Sequence, residues 1–376
     1  MQPKPAGVLP SAVATRIEAL DIFRGITMAF MILVNDPGIS TNIYDPLEHA
    51  AWNGITPTDF IFPSFIFIVG VSVVLSISGQ LKKGTSKKTI VGKICKRALI
   101  LFLIGVLLSI LPTFNLSLLR YTGVLQRISI VFFCCSMLYL FTSRTFQIRL
   151  AAFVLIAYFL LMTVVPVPGF GYAILEPGKN MAAWVDSFLL PGKMYQGTWD
   201  PEGVLSSFPA VVTGIAGMLT GYLLLSNKTA ERKIIWLFFA GFISFAIANG
   251  WHWFFPINKN LWTSSFVLYM AGLDCMILSS LYFLVDIMGH RKWATFAIVF
   301  GSNAIAAYLL SEIFYNILYF KAGGVHGTSL NDIIIRAVTP SWLSLEMVSL
   351  IWALLYCVLC FIPVYILYKK KIFLKI

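Results

Sequence analysis

Between Asp59 and Lys82 the chain carries no charged side chain, and this stretch is one of ten apolar runs spread along its length. They fall at about 19–35, 58–79, 96–112, 122–141, 147–166, 204–225, 234–254, 262–285, 294–319 and 343–368. Crossing about 30 Å of hydrocarbon as helix takes roughly 20 residues, and only helices or closed barrels satisfy their backbone groups there. The ten-residue alternation of a membrane barrel is missing. The expected fold is an all-α integral membrane protein, a polytopic bundle of about ten transmembrane helices read as a single domain over residues 1–376. Charged residues make up 12% of the chain, against roughly 25% in soluble domains. The first run is not read as a cleaved signal, because no small-residue cleavage site follows it and Asn35-Asp36-Pro37-Gly38 reads as a helix exit.

Alternate loops differ sharply in Lys and Arg. One set, including Lys82 to Arg97, Arg144 and Arg149, Lys228 to Lys233, Arg291-Lys292, the tail and the N-terminal Lys4, Arg16 and Arg24, holds 21 of the 28 basic residues. Positive charge favours the cytoplasmic side, so both termini are expected there. The net charge of +12 is then explained by topology and anionic lipid, without nucleic acid. The same orientation turns two loops outward, at about 36–57 and 167–203. Loops as long as the second are uncommon without a function.

Several chemistries are excluded by what the sequence lacks: it has no Walker loop, GxSxG elbow, GxGxxG fingerprint or zinc-ligand pattern, so no metal site is expected. The six cysteines lie in or beside apolar runs, and Cys357 and Cys360, despite their spacing, are read as packing. Function must come from scattered polar groups. Asp21 and Arg24 sit three apart near the inner end of the first run, as an ion pair or an interfacial anchor. Arg127 interrupts an apolar run, where an ionised group costs about 2.5–3.5 kcal/mol even on the mildest scale, so it needs a partner or a wet cavity. Asp274 and Glu312 could pair with it or relay protons. His252, beside Trp251 and Trp253, reads as an interfacial belt residue; His290 and His326 read as surface residues.

His49 is different. Its loop, free of Lys and Arg, offers Trp52 as a flat apolar face, Asn53 and Asp59 as hydrogen-bonding groups, and Asn35 at the end of the preceding helix. Histidine can take and return a proton near neutral pH, and convergent polar groups of this kind make a candidate site.

These residues resemble a family. Arg16 to Gly38, His49 to Ser72, Gly92 to Arg97, Arg120 to Ile128, Asp200-Pro201-Glu202-Gly203 and Asn258-Lys259-Asn260-Leu261-Trp262 follow in order the blocks of the heparan-alpha-glucosaminide N-acetyltransferase family, particularly its bacterial branch. The resemblance implies a transmembrane acyltransferase in a bacterial cytoplasmic membrane. It would carry acetyl from cytoplasmic acetyl-CoA to the amino group of a terminal glucosamine across the bilayer, and the family suggests a homodimer. It also implies that His49 is the catalytic histidine and that Asn35 sits beside the acetyl group. The Asn-to-His spacing is longer than in the lysosomal enzyme, Asp36-Pro37 stands where that enzyme has glycines, and no counterpart of its large luminal domain is expected.

Physical reasoning gives the same division of labour. Cations near the cytoplasmic mouth, Arg24, Lys93 and Arg97, suit the phosphates of coenzyme A, although topology control also accounts for basic residues there. Gln126 and Arg127 would line the deeper passage. His49 would deprotonate the acceptor amine and Asn35 would donate to the oxyanion, by direct attack or through an acetyl-imidazole. Trp52, Asn53, Asp200, Glu202, Asn258 and Lys259 would hold the sugar, or cap loops and anchor the interface. Two other readings stand beside this one. A sugar transporter would use the same polar groups, but no repeat between halves is evident; O-acetylation of an envelope polysaccharide would change only the acceptor.

Overall fold

The computed structural model describes residues 17–111, 115, 119–320, 327–340 and 342–374, and the described residues are almost all helix or connecting turns. His326 lies outside them. The helices are α1 (Glu18–Asn35), α2 (Ile61–Lys82), α3 (Lys87–Ile110), α4 (Val124–Phe141), α5 (Arg144–Thr163), α6 (Met181–Leu189), α7 (Val204–Leu225), α8 (Ala230–His252), α9 (Ser264–Leu281), α10 (Thr295–Ser302), α11 (Ala304–Tyr319), α12 (Leu330–Val338) and α13 (Leu345–Lys369).

Helix starts follow local chemistry. Ser86, Ser143, Thr229, Thr263 and Ser344 precede α3, α5, α8, α9 and α13, and each accepts the N–H three residues on, satisfying an end donor. Through Ser86, α3 begins nine residues before the apolar run expected at 96, so its lysines ride on helix rather than loop. The run at 294–319 is broken, with α10 and α11 meeting at 74° across Asn303. Beyond α13 the chain turns back through Lys371, at a left-handed φ of 56°, and Asn303 clasps it: its Nδ2 donates to Ile372 O at 3.1 Å and its Oδ1 accepts from Leu374 N at 3.0 Å.

Among the described residues seven helices are long and apolar enough to cross a membrane, or eight if the bent pair counts as one span. The shortfall from ten lies in α1, which carries Glu18, Asp21 and Arg24, and α3, which carries five basic residues in its first eleven. The outer loop expected at 167–203 holds a short helix, α6, that the sequence did not announce.

α2 is the most enclosed of the long helices, and α8, α5 and α13 the most open to the surroundings. Backbones approach closely where α2 meets α7: a Cβ at Gly70 would overlap the Gly214 carbonyl, and one at Gly217 the Phe67 carbonyl. Small residues serve this purpose in membranes, where packing replaces the hydrophobic drive between helices. Around the seam Ile66, Val74, Val131, Ile215, Met218 and Phe266 form the main apolar core.

Candidate acid–base site

The site starts with a helix start. Thr56-Pro57-Thr58-Asp59 is a capping box ahead of α2: Asp59 Oδ2 accepts from Thr56 N and Ala50 N, each at 3.1 Å, and lies 3.2 Å from Thr56 Oγ1. Thr56 Oγ1 also reaches Glu48 O at 2.6 Å, which pins the chain beside His49. The single Thr56 hydroxyl proton goes to the nearer Glu48 oxygen, so two backbone N–H groups hold Oδ2 and leave Oδ1 for a different task.

His49 Nδ1 lies 2.7 Å from that Oδ1 and 3.0 Å from Lys259 Nζ, which itself lies 3.3 Å from Oδ1, so the three groups form a triangle. The carboxylate oxygen can only accept, and it makes the shorter contact with the ring. Nδ1 is therefore assigned the proton and donates it to Asp59, Lys259 turns its own protons to Oδ1, and the lone pair falls on Nε2. No described group hydrogen-bonds Nε2. The His49 side chain is 53% exposed and that of Asp59 only 1%, so a buried carboxylate orients a base that faces outward. Lys259 supplies the counter-charge. Burial lowers the pKa of its own ammonium, against the opposing pull of Asp59.

The loop that presents Lys259 is tightly wound. Asn258 accepts from Leu261 N through Oδ1 at 2.9 Å and donates through Nδ2 to Asn53 Oδ1 at 3.1 Å, while Gly54 N donates to Ile257 O at 2.8 Å. Trp262 sits at a φ of 52°, a conformation that costs a bulky residue about 1–3 kcal/mol and persists only where surroundings impose it. Its backbone N–H is held by Lys259 O and its Nε1 by Thr213 Oγ1. Asn53 and Asn258 thus join the two loops, while Trp52 donates to Leu175 O at 2.9 Å and packs edge-on to Trp199. Asn35 stands exposed at the end of α1, and among the described residues no hydrogen bond joins it to His49. Its neighbour Asp36 is buried, which together with the nearby Glu312 raises its pKa to about 8.

Asp200 and Glu202 are drawn into a second centre around Arg120, a residue the sequence reading did not single out. Arg120 forks onto Asp200 through Nε at 2.8 Å and Nη2 at 2.6 Å, and also pairs with Glu202. Thr122 Oγ1 and the N–H groups of Tyr195 and Glu202 complete the ring around Asp200. Burial alone would raise the Asp200 pKa; Arg120 outweighs it and holds the carboxyl below its ordinary value. Glu202 is also close enough to act electrostatically on Lys259, linking the centres.

Arg24, Lys93 and Arg97 line a cavity of about 680 Å³ whose walls come mainly from α1 to α4, α11 and the folded-back Phe373 and Leu374. Arg24 donates to Asp21, Ser72 and the Gly301 carbonyl, so the charge pair three residues apart exists and also braces the cavity wall. Met31 and Phe65 reach furthest along their helices, four residues from Asn35 and six from Asp59, or about 6 and 9 Å at helical rise. Gln126 and Arg127 are not among the walls. Gln126 packs on Gly105, and Arg127 donates to Gly203 O and Ser206 Oγ beneath the Trp262 ring, 5.0 Å away. Its Nε and Nη1 find no described partner. Asp274 is sealed against Ser64 at 2.5 Å, and His252 Nδ1 accepts from Ile257 N as part of a turn.

A helical membrane bundle with a carboxylate-oriented histidine at one end is the class that fold and site define. A family model for heparan-alpha-glucosaminide N-acetyltransferase, catalytic, matches residues 16–252. The human protein named heparan-alpha-glucosaminide N-acetyltransferase is 30% identical over 430 aligned positions, covering 99% of this chain and 62% of that protein. Its mouse counterpart is 30% identical over 420, covering 96% and 61%. The chain therefore belongs to this family. It spans about three fifths of the length of those relatives.

Proposed function

We propose that the chain is a transmembrane acetyltransferase that moves acetyl from acetyl-CoA to the amino group of a glucosamine-type sugar on the opposite side of the membrane. The observation that carries this reading is the Asp59–His49 pair, whose Nε2 has no hydrogen-bond partner among the described residues, in a chain of this family. The acceptor amine attacks the thioester carbon, the C–N bond forms as the C–S bond breaks, the sulfur leaves as thiolate, and Nε2 takes the ammonium proton. General-base help of this kind is worth about 10²- to 10⁴-fold. Asn35, one helical turn beyond Met31, is the candidate oxyanion donor. Arg24, Lys93 and Arg97 are the candidate phosphate contacts, and Lys259, Trp52 and Glu202 are candidate contacts for the sugar. An acetyl-imidazole on Nε2 fits the same geometry and would give ping-pong kinetics.

The same reading takes α1 and α3 as spans, which makes ten, with both termini and the basic loops in the cytosol and the His49 loop outside. It assigns the chain to a bacterial cytoplasmic membrane. The direct test supplies labelled acetyl-CoA inside sealed vesicles and glucosamine outside. Label should appear on the external sugar, and His49→Ala should lower the rate by about 10² or more while leaving acetyl-CoA binding intact. Full turnover by that variant removes His49 from the chemistry; uptake of unmodified sugar would favour transport instead.

A further inference from the structure

A second cavity, of about 720 Å³, shares no lining residue with the first, and has α5 and α8 as its walls and α7 and α9 as its floor. Small side chains make the slot, among them Ala216 on α7 and Ala240 on α8. From Trp236 to Trp251 it follows α8 for fifteen residues, about 22 Å at helical rise, which exceeds half of a roughly 30 Å hydrocarbon core. Its lining is apolar for most of that length. Only one end is cationic: Arg144, where α5 begins, and Lys228, in the turn between α7 and α8.

Neither cation is ion-paired among the described residues. Each is held over an aromatic ring, Arg144 at 5.6 Å from Tyr222 and Lys228 at 5.9 Å from Trp236, so the rings fix the two charges at the mouth without neutralising them. The length of the slot suits an extended acyl chain, and its cationic end suits the anionic headgroup that such a chain can carry. Basic pockets between membrane helices recognise anionic headgroups by the same charge complementarity.

We propose that this groove is a binding site for an anionic phospholipid, with one acyl chain in the slot between α5 and α8 and the phosphate between Arg144 and Lys228. The site is separate from the acid–base centre, although its floor helices lead to it: α7 begins beside the Arg127 clasp and α9 follows the loop that holds Lys259.

The test uses the full chain purified in neutral detergent, challenged with phosphatidylglycerol or phosphatidylcholine, with bound lipid counted by native mass spectrometry. Phosphatidylglycerol should be retained at least tenfold more than phosphatidylcholine. The double variant R144A/K228A should lose that preference, Ala216→Phe should lower retention of both lipids, and K369A/K370A should behave as the parent. Equal retention of the two lipids by the parent overturns the proposal, as does an undiminished preference in R144A/K228A or an equal loss in K369A/K370A. Should Ala216→Phe fail to fold, the charge variants decide alone. Cross-linking of two copies through Ala240→Cys at full occupancy would also overturn it.

Discussion

Lys259 and His49 meet on a single oxygen of Asp59, the ammonium at 3.3 Å and the imidazole Nδ1 at 2.7 Å, while the other oxygen is committed to the capping box. The carboxylate that starts α2 is therefore the one that orients the base. Fold and chemistry share an atom group here, and the two can be separated by substitution.

Asp59→Asn keeps the size of the side chain and removes its charge. Turnover should fall by about 10² or more, because the amide can present its NH₂ to Nδ1 and trap the wrong tautomer. Steady-state kinetics on the folded variant check this. Activity within a few-fold of the parent would mean that Asp59 serves only the helix start.

Lys259→Met removes the positive charge beside the pair. Asp59 then loses the ammonium that holds its Oδ1, so kcat should fall while KM stays within a few-fold of the parent in steady-state kinetics. A raised KM with kcat unchanged would instead assign Lys259 to the sugar.

Arg120→Ala strands Asp200, which is buried and has no other cationic partner at hydrogen-bond distance among the described residues. Breaking a buried pair from one side costs about 3–5 kcal/mol, so the purified variant should unfold well below the parent in a thermal scan. Arg120→Lys should recover only part of this, since an ammonium cannot reproduce the fork onto both Asp200 oxygens. Complete rescue by lysine would show that charge alone matters.

Gly217→Ala places a methyl against the Phe67 carbonyl and must push α7 off α2. Stability should drop more than for Gly250→Ala on α8, where a Cβ would meet nothing within 4 Å. Equal melting temperatures for the two variants would contradict the close approach.

Asp36→Asn tests the burial of that carboxyl. The folded chain holds a proton up to about pH 8, whereas the unfolded chain releases it near 3.8, so wild-type stability is lost as pH rises between those values and then levels off. The asparagine variant never ionises. Its advantage in melting temperature should be absent at pH 4 and largest above pH 8; a difference independent of pH would refute the assignment.

Much of this was legible in the residues. Each of the ten apolar runs coincides with helix, because hydrocarbon length and backbone satisfaction leave little choice. Thr56-Pro57-Thr58-Asp59 announces its helix start, and His49, Asp59, Asn53, Asn258 and Lys259 come together as a cluster in space. What the sequence left hidden depends on long-range closure. The bend at Asn303 has no proline to announce it, and Arg120 looks like any loop arginine until Asp200 folds back from eighty residues away. Gln126 and Arg127 show the converse: a polar pair in an apolar run advertises a partner, but for Arg127 one serine hydroxyl and one backbone carbonyl take the place of the expected cavity.

The reversal of the chain after α13 has a consequence for anyone handling this molecule. Because Asn303 grips the strip around Ile372 and Leu374, the last described residues plug the flank of the Arg24 chamber and brace the elbow between α10 and α11 together. A protease nick after Lys371 would pull the cork from that vessel, loosening its grip on whatever it holds long before the bundle itself came apart.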